Sequence, residues 1–279
     1  MKQINAVNDL LSFIQLIKQQ NKTIGIVPTM GSLHSGHDSL IKRCKKENNI
    51  TIVSIYVNPN QFNNKNDFLN YPRTLDADIN RLKTLNCDIL FSPSDKEISK
   101  ILNPNFKLKL GNLNKYLEAD NRPGHFEGVI NIVAKLFEIT SPNKAYFGEK
   151  DLQQLLIIKQ LCLQKFKNIQ VISCATVRNA GGLAKSSRNK HLTEKELIIA
   201  RSIYKVLNEV KKNKLDWSVK KAKDYVRKYL NNLSINLDYF EIIEIEKFSF
   251  TQEINTNCNY YAMIAVTIRE TRLIDNLKL

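Results

Sequence analysis

The feature that most constrains the fold of this chain is the segment Val27 to His37, which reads VPTMGSLHSGH. An apolar run ends at Pro28, a glycine turn follows, and two histidines then stand three residues apart. The apolar residues after the second histidine recur at helical spacing. The segment therefore predicts a β-strand, a tight turn, and a helix that begins at the His-x-Gly-His sequence.

The predicted turn and helix start favour binding of a phosphate group. Unpaired N–H groups at a helix N-terminus attract anions, and the imidazoles of His34 and His37 can add donors to a phosphate that gains charge. Gly36 removes a side chain where a nucleotide must approach the backbone. The alternative is a pair of histidines at a capped turn that binds nothing. The strand before the turn and the helix after it favour the nucleotide site.

Short apolar strands alternate with amphipathic helices along the first two thirds of the chain. The strands are predicted at 23–27, 50–57, 89–92, 144–147 and 170–176, and the helices at 8–20, 35–47, 74–85, 129–139 and 152–164. This alternation indicates a parallel sheet covered on both faces, which binds ligands at the carboxyl ends of its strands. The predicted fold class is α/β, with a Rossmann-like, doubly wound parallel sheet and a smaller C-terminal α+β domain.

The pattern changes after the glycine pair at 181–182, which is a natural joint. Two helices are predicted there at 193–212 and 218–232, and two strands, expected to be antiparallel, at 238–246 and 260–268. We therefore expect a nucleotide-binding α/β domain at 1–176 and a smaller α+β domain at 177–279. Polar loops are predicted at 58–66 and 103–105.

Composition excludes several other classes of protein. The chain has 279 residues and no apolar run of membrane-spanning length, and its N-terminus lacks the core of a signal peptide, so a cytoplasmic protein without a membrane partner is expected. The net charge of +15 invites a nucleic-acid partner. However, the lysines are spread along the chain, and no aromatic residues interleave in the densest run. The five cysteines are too far apart for a zinc or redox motif and are expected to be reduced and buried.

Further motifs occur in a fixed order after the first one. They are SIYVNPNQF at 54–62 with YPRT at 71–74, RPGHF at 122–126, YFGEKDLQQ at 146–154 and GLAKSSRN at 182–189. Together with the first segment they closely resemble the pantothenate synthetase (pantoate–β-alanine ligase) family of the HxGH nucleotidylyltransferase superfamily. The resemblance implies that ATP and pantoate give pantoyl adenylate and pyrophosphate, and that the amine of β-alanine then displaces AMP. It also implies a homodimer.

The resemblance implies three groups of site residues. Catalytic roles are implied for His34, His37, Lys150, Ser186, Ser187 and Arg188. Contacts to ATP are implied for these residues and for Thr29, Met30, Gly148, Asp151 and Val177. Contacts to pantoate are implied for Gln61, Gln154, Asn58 and Arg122. Tyr71 is a candidate either for closing over the site or for loop packing, and His125 and His191 are weaker candidates.

The residues themselves give part of the reason for these roles. Lys150 opens a predicted helix after a strand and a glycine, where an ammonium can meet phosphate as a point charge. The segment Ser186 to Arg188 resembles the mobile phosphate-binding loop of class I aminoacyl-tRNA synthetases, although such a sequence alone also suits a capped turn. Gln61 and Gln154 can each donate and accept hydrogen bonds, which suits a hydroxy acid.

Mg²⁺ is expected to be bound mainly through the phosphates of ATP, with few protein ligands. Asp151, Asp76 and Asp78 are the candidate carboxylates. Asp151 could instead orient adenosine or cap its helix.

Two positions depart from the family pattern. Gly181 stands where an acidic residue is expected, and the segment 118–121 differs from the usual Glu-Gly run. Two alternative functions remain at this point. One is another HxGH adenylyltransferase of coenzyme biosynthesis, against which the two glutamines speak. The other is an RNA-binding protein derived from a synthetase. Such a protein would tolerate loss of His34, His37 and Lys150, whereas this chain retains all three.

Overall fold

Two compact units make up the computed structural model, which describes residues 1–101, 107–255 and 257–279. The first unit consists of Met1–Glu149 and Gln153–Ala175, and the second of Lys150–Leu152 and Thr176–Leu279. The predicted polar loop at 103–105 lies outside the described residues. The described helices include none that is long and apolar enough to cross a membrane.

A parallel sheet forms the centre of the first unit. Its strands are β1 (Lys2–Ile4), β2 (Ile24–Thr29), β3 (Ile50–Ile55), β4 (Ile89–Phe91), β5 (Lys144–Gly148) and β6 (Gln170–Cys174). They lie in the order β1-β4-β3-β2-β5-β6, and each neighbouring pair is parallel. The chain winds outward from β2 in one direction through β3 and β4 and in the other through β5 and β6. The doubly wound sheet predicted from the sequence is confirmed.

The helices that follow these strands along the chain are α1 (Val7–Gln19), α2 (Ser35–Glu47), α3 (Lys65–Asn70), α4 (Leu75–Thr84), α5 (Asp95–Ser99), α6 (Glu118–Asn121), α7 (His125–Thr140) and α8 (Leu152–Lys165). Of these, α1, α2 and α7 contact strands of the sheet. Val27 and Val53 pack with apolar residues of α2 and α4 in one cluster. Ile26 and Ile52, which point to the opposite face because strand side chains alternate, are also fully buried.

The second unit is an α+β structure. It contains α9 (Glu194–Lys212), α10 (Val219–Asn231), β7 (Asn236–Glu244), β8 (Ser249–Phe250), β9 (Tyr260–Ile268) and β10 (Thr271–Lys278). The strands form an antiparallel sheet in the order β10-β9-β7-β8. Buried residues of α9 and α10 form one core with those of the sheet. The predicted α+β class of this part of the chain is confirmed.

All five cysteines have free thiols. Cys44, Cys87, Cys162 and Cys174 are buried, as predicted, whereas Cys258 is partly exposed. Burial raises the pKa of Cys44 and of Cys162 to about 12, raises that of Cys87 to about 11, and raises that of Cys174. These four behave as small apolar side chains.

Candidate active site

The candidate site of the first unit begins where the strand order reverses. Strands β2 and β5 are neighbours. The chain continues from β2 to β3 in one direction across the sheet and from β5 to β6 in the other. In open parallel sheets, a ligand crevice forms at the carboxyl ends of the strands at such a point. The segment from Met30 to His37 follows β2, and Gly148 ends β5. A Cβ added to Gly148 would meet no atom within 4 Å, so this glycine leaves room for a close approach.

The turn after β2 has an unusual backbone. Gly31 has a φ of +79° and Ser32 has a φ of +50°, and Ser32 is completely buried. A left-handed conformation costs a non-glycine residue about 1–2 kcal/mol, so other contacts must hold the turn. The hydroxyl of Thr29 donates to the carbonyl of Ser54 at 2.8 Å and accepts from the N–H of Gly31 at 3.1 Å. The carboxylate of Asp78 accepts from the N–H groups of Ser32 and Leu33, both at 2.8 Å.

The two histidines of the motif cap the helix that they open. Nδ1 of His34 accepts from the N–H of Gly36 at 3.1 Å, and Nδ1 of His37 accepts from the N–H of His34 at 3.2 Å. This reciprocal arrangement is a capping box. Helix α2 therefore begins where the sequence predicted. His34 and His37 accept the backbone N–H groups that serine and glutamate accept in the usual capping box.

This capping box also fixes the ring proton of each neutral histidine. A nitrogen that accepts a backbone N–H cannot itself carry a proton, so the proton of His34 and that of His37 lie on Nε2. The ring centroids are 4.1 Å apart with an interplanar angle of 37°. The pair is therefore built from two rings whose Nε2–H groups are donors.

The predicted pantoate residue Gln61 is held through its own backbone. It is 7% exposed and its side-chain nitrogen donates to the sulfur of Met30. Nδ1 of His125 lies 2.7 Å from the carbonyl oxygen of Gln61, and Arg122 donates to the same oxygen at 3.4 Å. The structure thus brings Met30, Gln61 and Arg122 together, with His125 beside them.

Asn58 is occupied in building the loop that carries Gln61. Its side-chain oxygen accepts from the N–H of Asn60 at 3.2 Å, and its side-chain nitrogen donates to the carbonyl of Gly128 at 3.0 Å. A Cβ at Gly128 would lie 2.4 Å from the carbonyl oxygen of Asn60, so helix α7 approaches this loop too closely for any other residue. Tyr71 is buried and packs edge-on against Phe62, which is the loop-packing role that the sequence left open.

The adjacent glutamines at 153 and 154 have different environments. Gln153 is 2% exposed; its oxygen accepts from the N–H of Glu118 at 3.1 Å, and its nitrogen donates to the carbonyls of Leu113 and Tyr116. Gln154 is half-buried, and its side-chain amide makes no hydrogen bond to any described residue. Gln153 is therefore structural, and the amide of Gln154 is available to a ligand.

Lys150 belongs to the second unit, with Asp151. Its ammonium is mostly buried and lies 3.3 Å from a carboxylate oxygen of Asp151. The side-chain nitrogen of Asn276 donates to the carbonyl of Lys150 at 2.9 Å. Asn276 lies in the sequence RLIDN at 272–276, and none of the motifs described above pointed to it.

The predicted phosphate-binding segment Ser186 to Arg188 follows a hairpin-like turn, residues 177–185, in the second unit. The N–H of Lys185 donates to the carbonyl of Val177 at 2.9 Å, and the hydroxyl of Ser186 accepts from the N–H of Arg188 at 3.3 Å. The segment is thus a capped 3-10 turn, from Ser187 to His191.

A buried ion pair fixes this hairpin-like turn to β10. Arg178 contacts the carboxylate of Asp275 through two nitrogens, at 2.5 and 2.9 Å, and also donates to the carbonyl of Gly182. Its guanidinium lies over the ring of Tyr204, 4.3 Å from the centroid. Bidentate pairs of this kind fix geometry as well as charge.

The three candidate carboxylates for Mg²⁺ lie in different environments. Both oxygens of Asp78 accept backbone N–H groups and the side chain is buried, Asp76 is exposed on α4, and Asp151 is about half exposed beside Lys150. Within the described residues, no three acidic, histidine or cysteine side chains are grouped so that they could hold a metal ion. The donor set present fits a metal that brings phosphate ligands with it.

Comparison with known proteins gives a consistent result over the whole chain. The family model described as pantoate-beta-alanine ligase matches residues 2–278. Pantothenate synthetases of Azobacteroides pseudotrichonymphae and Flavobacterium psychrophilum are 43% and 42% identical, with coverage of 99% and 97% of each chain. The solved Francisella tularensis pantoate-beta-alanine ligase, complexed with beta-gamma ATP and beta-alanine, is 40% identical with a TM-score of 0.80; the match covers 99% of this chain and 97% of that one. Pantothenate synthetase from Thermus thermophilus is 33% identical, with a TM-score of 0.88 and 99% coverage of both chains.

Proposed function

Because this chain belongs to the pantoate–β-alanine ligase family, we propose that it joins pantoate to β-alanine in an ATP-dependent reaction that releases AMP and pyrophosphate. The observation that carries the assignment is the family match over residues 2–278, and the intact capping box of His34 and His37 supports it. The solved Francisella tularensis relative is complexed with beta-gamma ATP and beta-alanine, which correspond to two of the three substrates of this reaction.

The reaction has two steps. A carboxylate oxygen of pantoate first attacks the α-phosphorus of ATP, the bond from that phosphorus to the bridging oxygen breaks, and pyrophosphate leaves with the electron pair. The amine of β-alanine then attacks the acyl carbon of pantoyl adenylate, and the bond to the AMP oxygen breaks. AMP leaves with the electron pair of this bond, and the amine nitrogen releases a proton to solvent. Neither step needs a covalent bond to the protein, so catalysis depends on positioning and charge stabilisation.

We assign the phosphate contacts to the residues for which the family resemblance implies them. The Nε2–H donors of His34 and His37 would stabilise charge that develops on the phosphates in the first step. Lys150 would contribute an ammonium as a point charge, and Ser186, Ser187 and Arg188 would bind the departing pyrophosphate. Thr29, Met30, Gly148, Asp151 and Val177 complete the proposed ATP site.

We assign pantoate to Gln61 and Gln154. Their amides can donate to the carboxylate and also accept from the hydroxyl groups of pantoate. The free amide of Gln154 supports this role, since no described residue occupies it. Asn58, Arg122 and His125 act on pantoate through the loop that carries Gln61, because the hydrogen bonds given above for them go to the backbone of this region.

The proposal includes Mg²⁺, which would neutralise phosphate charge when bound with ATP. We assign a water of such an ion to Asp151, which is about half exposed, and to Asp76, which is exposed. We also propose a cytoplasmic homodimer, in line with the family resemblance, and a division of the chain into domains at 1–176 and 177–279.

Exchange of labelled pyrophosphate into ATP tests this function directly. The purified protein should catalyse exchange only when pantoate is present, and addition of β-alanine should then yield pantothenate with one AMP per product. Exchange with a different acid, or none, would favour another adenylyltransferase. Absence of exchange together with RNA binding would favour the synthetase-derived binding protein.

A further inference from the structure

Helix α4 contacts the backbone on both sides of the two histidines. Asp78 and Arg81 stand one helical turn apart on α4, so their side chains lie on the same face. Asp78 accepts from the N–H groups of Ser32 and Leu33, both at 2.8 Å, immediately before His34. Arg81 donates two hydrogen bonds of 2.6 Å to the carboxylate of Asp38, immediately after His37.

The contact before the histidines stabilises a backbone that Ser32 adopts at a cost. Ser32 has a φ of +50° and is completely buried. Asp78 is itself 2% exposed, and a charge-assisted hydrogen bond to a backbone N–H is stronger than a neutral one. The turn is also shaped to this carboxylate, since a Cβ added to Gly31 would lie 3.1 Å from Asp78 Oδ2.

The contact after the histidines fixes the first turn of α2. Asp38 follows His37 directly, and its N–H donates to the carbonyl of His34. The bidentate geometry with Arg81 restrains both distance and orientation. Because a helical turn repeats every 3.6 residues, a restraint on Asp38 also restrains the capping box one turn earlier.

We propose that Asp78 and Arg81 are positioning residues for the transfer of the adenylyl group: α4 holds His34 and His37 from both sides, so that their Nε2–H groups face the phosphates in a fixed orientation. This inference rests on the proposed function. It gives Asp78 a role different from that of a Mg²⁺ ligand, because both of its oxygens are already engaged by the turn.

The test compares Asp78→Asn with a matched control in the same unit. Asp88 also accepts a backbone N–H, that of Thr51 at 2.8 Å, and pairs with a cation, Lys45 at 2.6 Å. It precedes strand β4, at the end of the sheet opposite to the histidines. Asp78→Asn leaves one backbone N–H facing an amide donor, and Asp88→Asn makes the same chemical change far from the site.

In pantoate-dependent pyrophosphate exchange, Asp78→Asn should lower kcat by about 10- to 100-fold, the scale of a small misplacement of catalytic groups. The KM for ATP should change much less, because the contacts that bind ATP remain present. Asp88→Asn should keep kcat within about 2-fold of the wild type while losing comparable thermal stability. A wild-type kcat in Asp78→Asn, or an equal loss in Asp88→Asn, overturns the proposal.

Two further measurements keep the result decisive. If Asp78→Asn binds Mg²⁺ weakly and raised Mg²⁺ restores its kcat, Asp78 is a metal ligand and the proposal is wrong. Arg81→Met removes the ion pair between Arg81 and Asp38 from the same helix. This pair is partly exposed, so folding depends on it less than on the contacts of Asp78. Arg81→Met should lower kcat by about 3- to 10-fold, with partial recovery in Arg81→Lys, and Lys45→Met is its control.

A readout without substrate separates this proposal from the proposed function. Nitrogen NMR of the histidine rings should show unprotonated Nδ1 atoms for His34 and His37 in the wild type and in Asp88→Asn. In Asp78→Asn the signals should broaden or shift as the capping box loosens. Unchanged ring signals in this variant would overturn the positioning role even if the enzyme proves to use another acid.

Discussion

The side-chain amide of Asn276 donates a hydrogen bond of 2.9 Å to the main-chain carbonyl of Lys150. Asn276 is 5% exposed, and the preceding residue, Asp275, is paired with Arg178. Strand β10 therefore holds both the residue that carries the candidate ammonium and the hairpin-like turn that precedes Ser186. One strand of the second unit thus supports both of its proposed phosphate-binding groups.

The first prediction concerns the ammonium of Lys150. Lys150→Ala should lower adenylate formation by at least about 100-fold, the scale of losing one well-placed donor to a developing charge. Single-turnover formation of pantoyl adenylate measures this effect. Lys159→Ala, further along α8, is the control and should react as the wild type does. A rate for Lys150→Ala within a factor of a few of the wild type would contradict the role.

The second prediction concerns recognition of pantoate. Gln154→Ala should raise the KM for pantoate far more than that for β-alanine, since a polar partner lost from a buried site costs about 1–3 kcal/mol. Gln153→Ala should instead lower the melting temperature, because Gln153 holds three backbone groups of the 113–118 region. Initial rates with each substrate varied in turn decide the matter. Equal losses for both substrates in Gln154→Ala would show that this glutamine is structural too.

The third prediction concerns the motif histidines. Because the capping box requires Nδ1 as an acceptor in both rings, binding of a non-hydrolysable ATP analogue should shift the Nε2 signals and leave Nδ1 unprotonated. His37→Gln keeps a side chain that can accept from a backbone N–H at this helix position. It should retain the helix start, seen as unchanged thermal stability, and still lose most of the adenylation rate. Full activity in this variant would argue that His37 serves only as a cap.

The fourth prediction concerns the glycine pair at 181–182, which the sequence indicated as a joint between domains. Both residues lie within the second unit, and a Cβ at Gly182, where φ is +84°, would lie 2.2 Å from a ring carbon of Tyr204. Gly182→Ala should therefore destabilise the second unit by about 1–3 kcal/mol through overpacking and backbone strain. Thermal or denaturant unfolding measures this loss.

Hydrogen exchange separates this packing role from a hinge role. An ATP analogue should change protection near the crossing between Ala175 and Thr176 if the units move, and not at Gly182, which is packed against Tyr204. If Gly182→Ala has wild-type stability and the ATP analogue changes hydrogen exchange at 178–190, the glycine pair is a hinge between the domains.

The fifth prediction concerns stability in acid. Glu47 accepts from Arg43, Lys144 and Tyr146, and these partners, Arg43 above all, lower its pKa to about 2. A carboxylate with a lowered folded-state pKa stabilises the protein above its unfolded pKa of about 4.3, and this contribution is lost as the pH falls toward 2. Glu47→Gln should thus unfold at a lower temperature than the wild type at about pH 6, and the difference should shrink by about pH 2.5. A constant difference across this range would contradict the assignment.

The helices and strands of the first unit were predicted well because short-range patterns of apolar and capping residues mark them. Helix α2 begins and ends where the sequence placed it, since its start is marked by a capping residue and its apolar face repeats regularly. Two strands were not predicted. Strand β1 has only three residues, of which Ile4 is buried, so it is too short to show an alternating pattern. Strand β10 buries Asp275 and Asn276, and these two adjacent polar residues interrupt the alternation of apolar residues that marks a strand.

The candidate site was predictable where a residue type suits one chemistry, and not where a distant partner decides its role. His34 and His37 were found from their spacing. Asp78 looked like a metal candidate because burial and backbone partners 45 and 46 positions away cannot be read from the sequence. Gln153 and Gln154 are chemically identical neighbours, and their environments on α8 distinguish them.

The distribution of the thiols has a practical consequence. The thiolate is the form that reacts with alkylating reagents, and burial suppresses it at Cys44, Cys87, Cys162 and Cys174. Cys258 is partly exposed just before strand β9. A maleimide dye should accordingly attach to the natural sequence at one position in the second unit, giving a fluorescent reporter of its movements without any engineered cysteine.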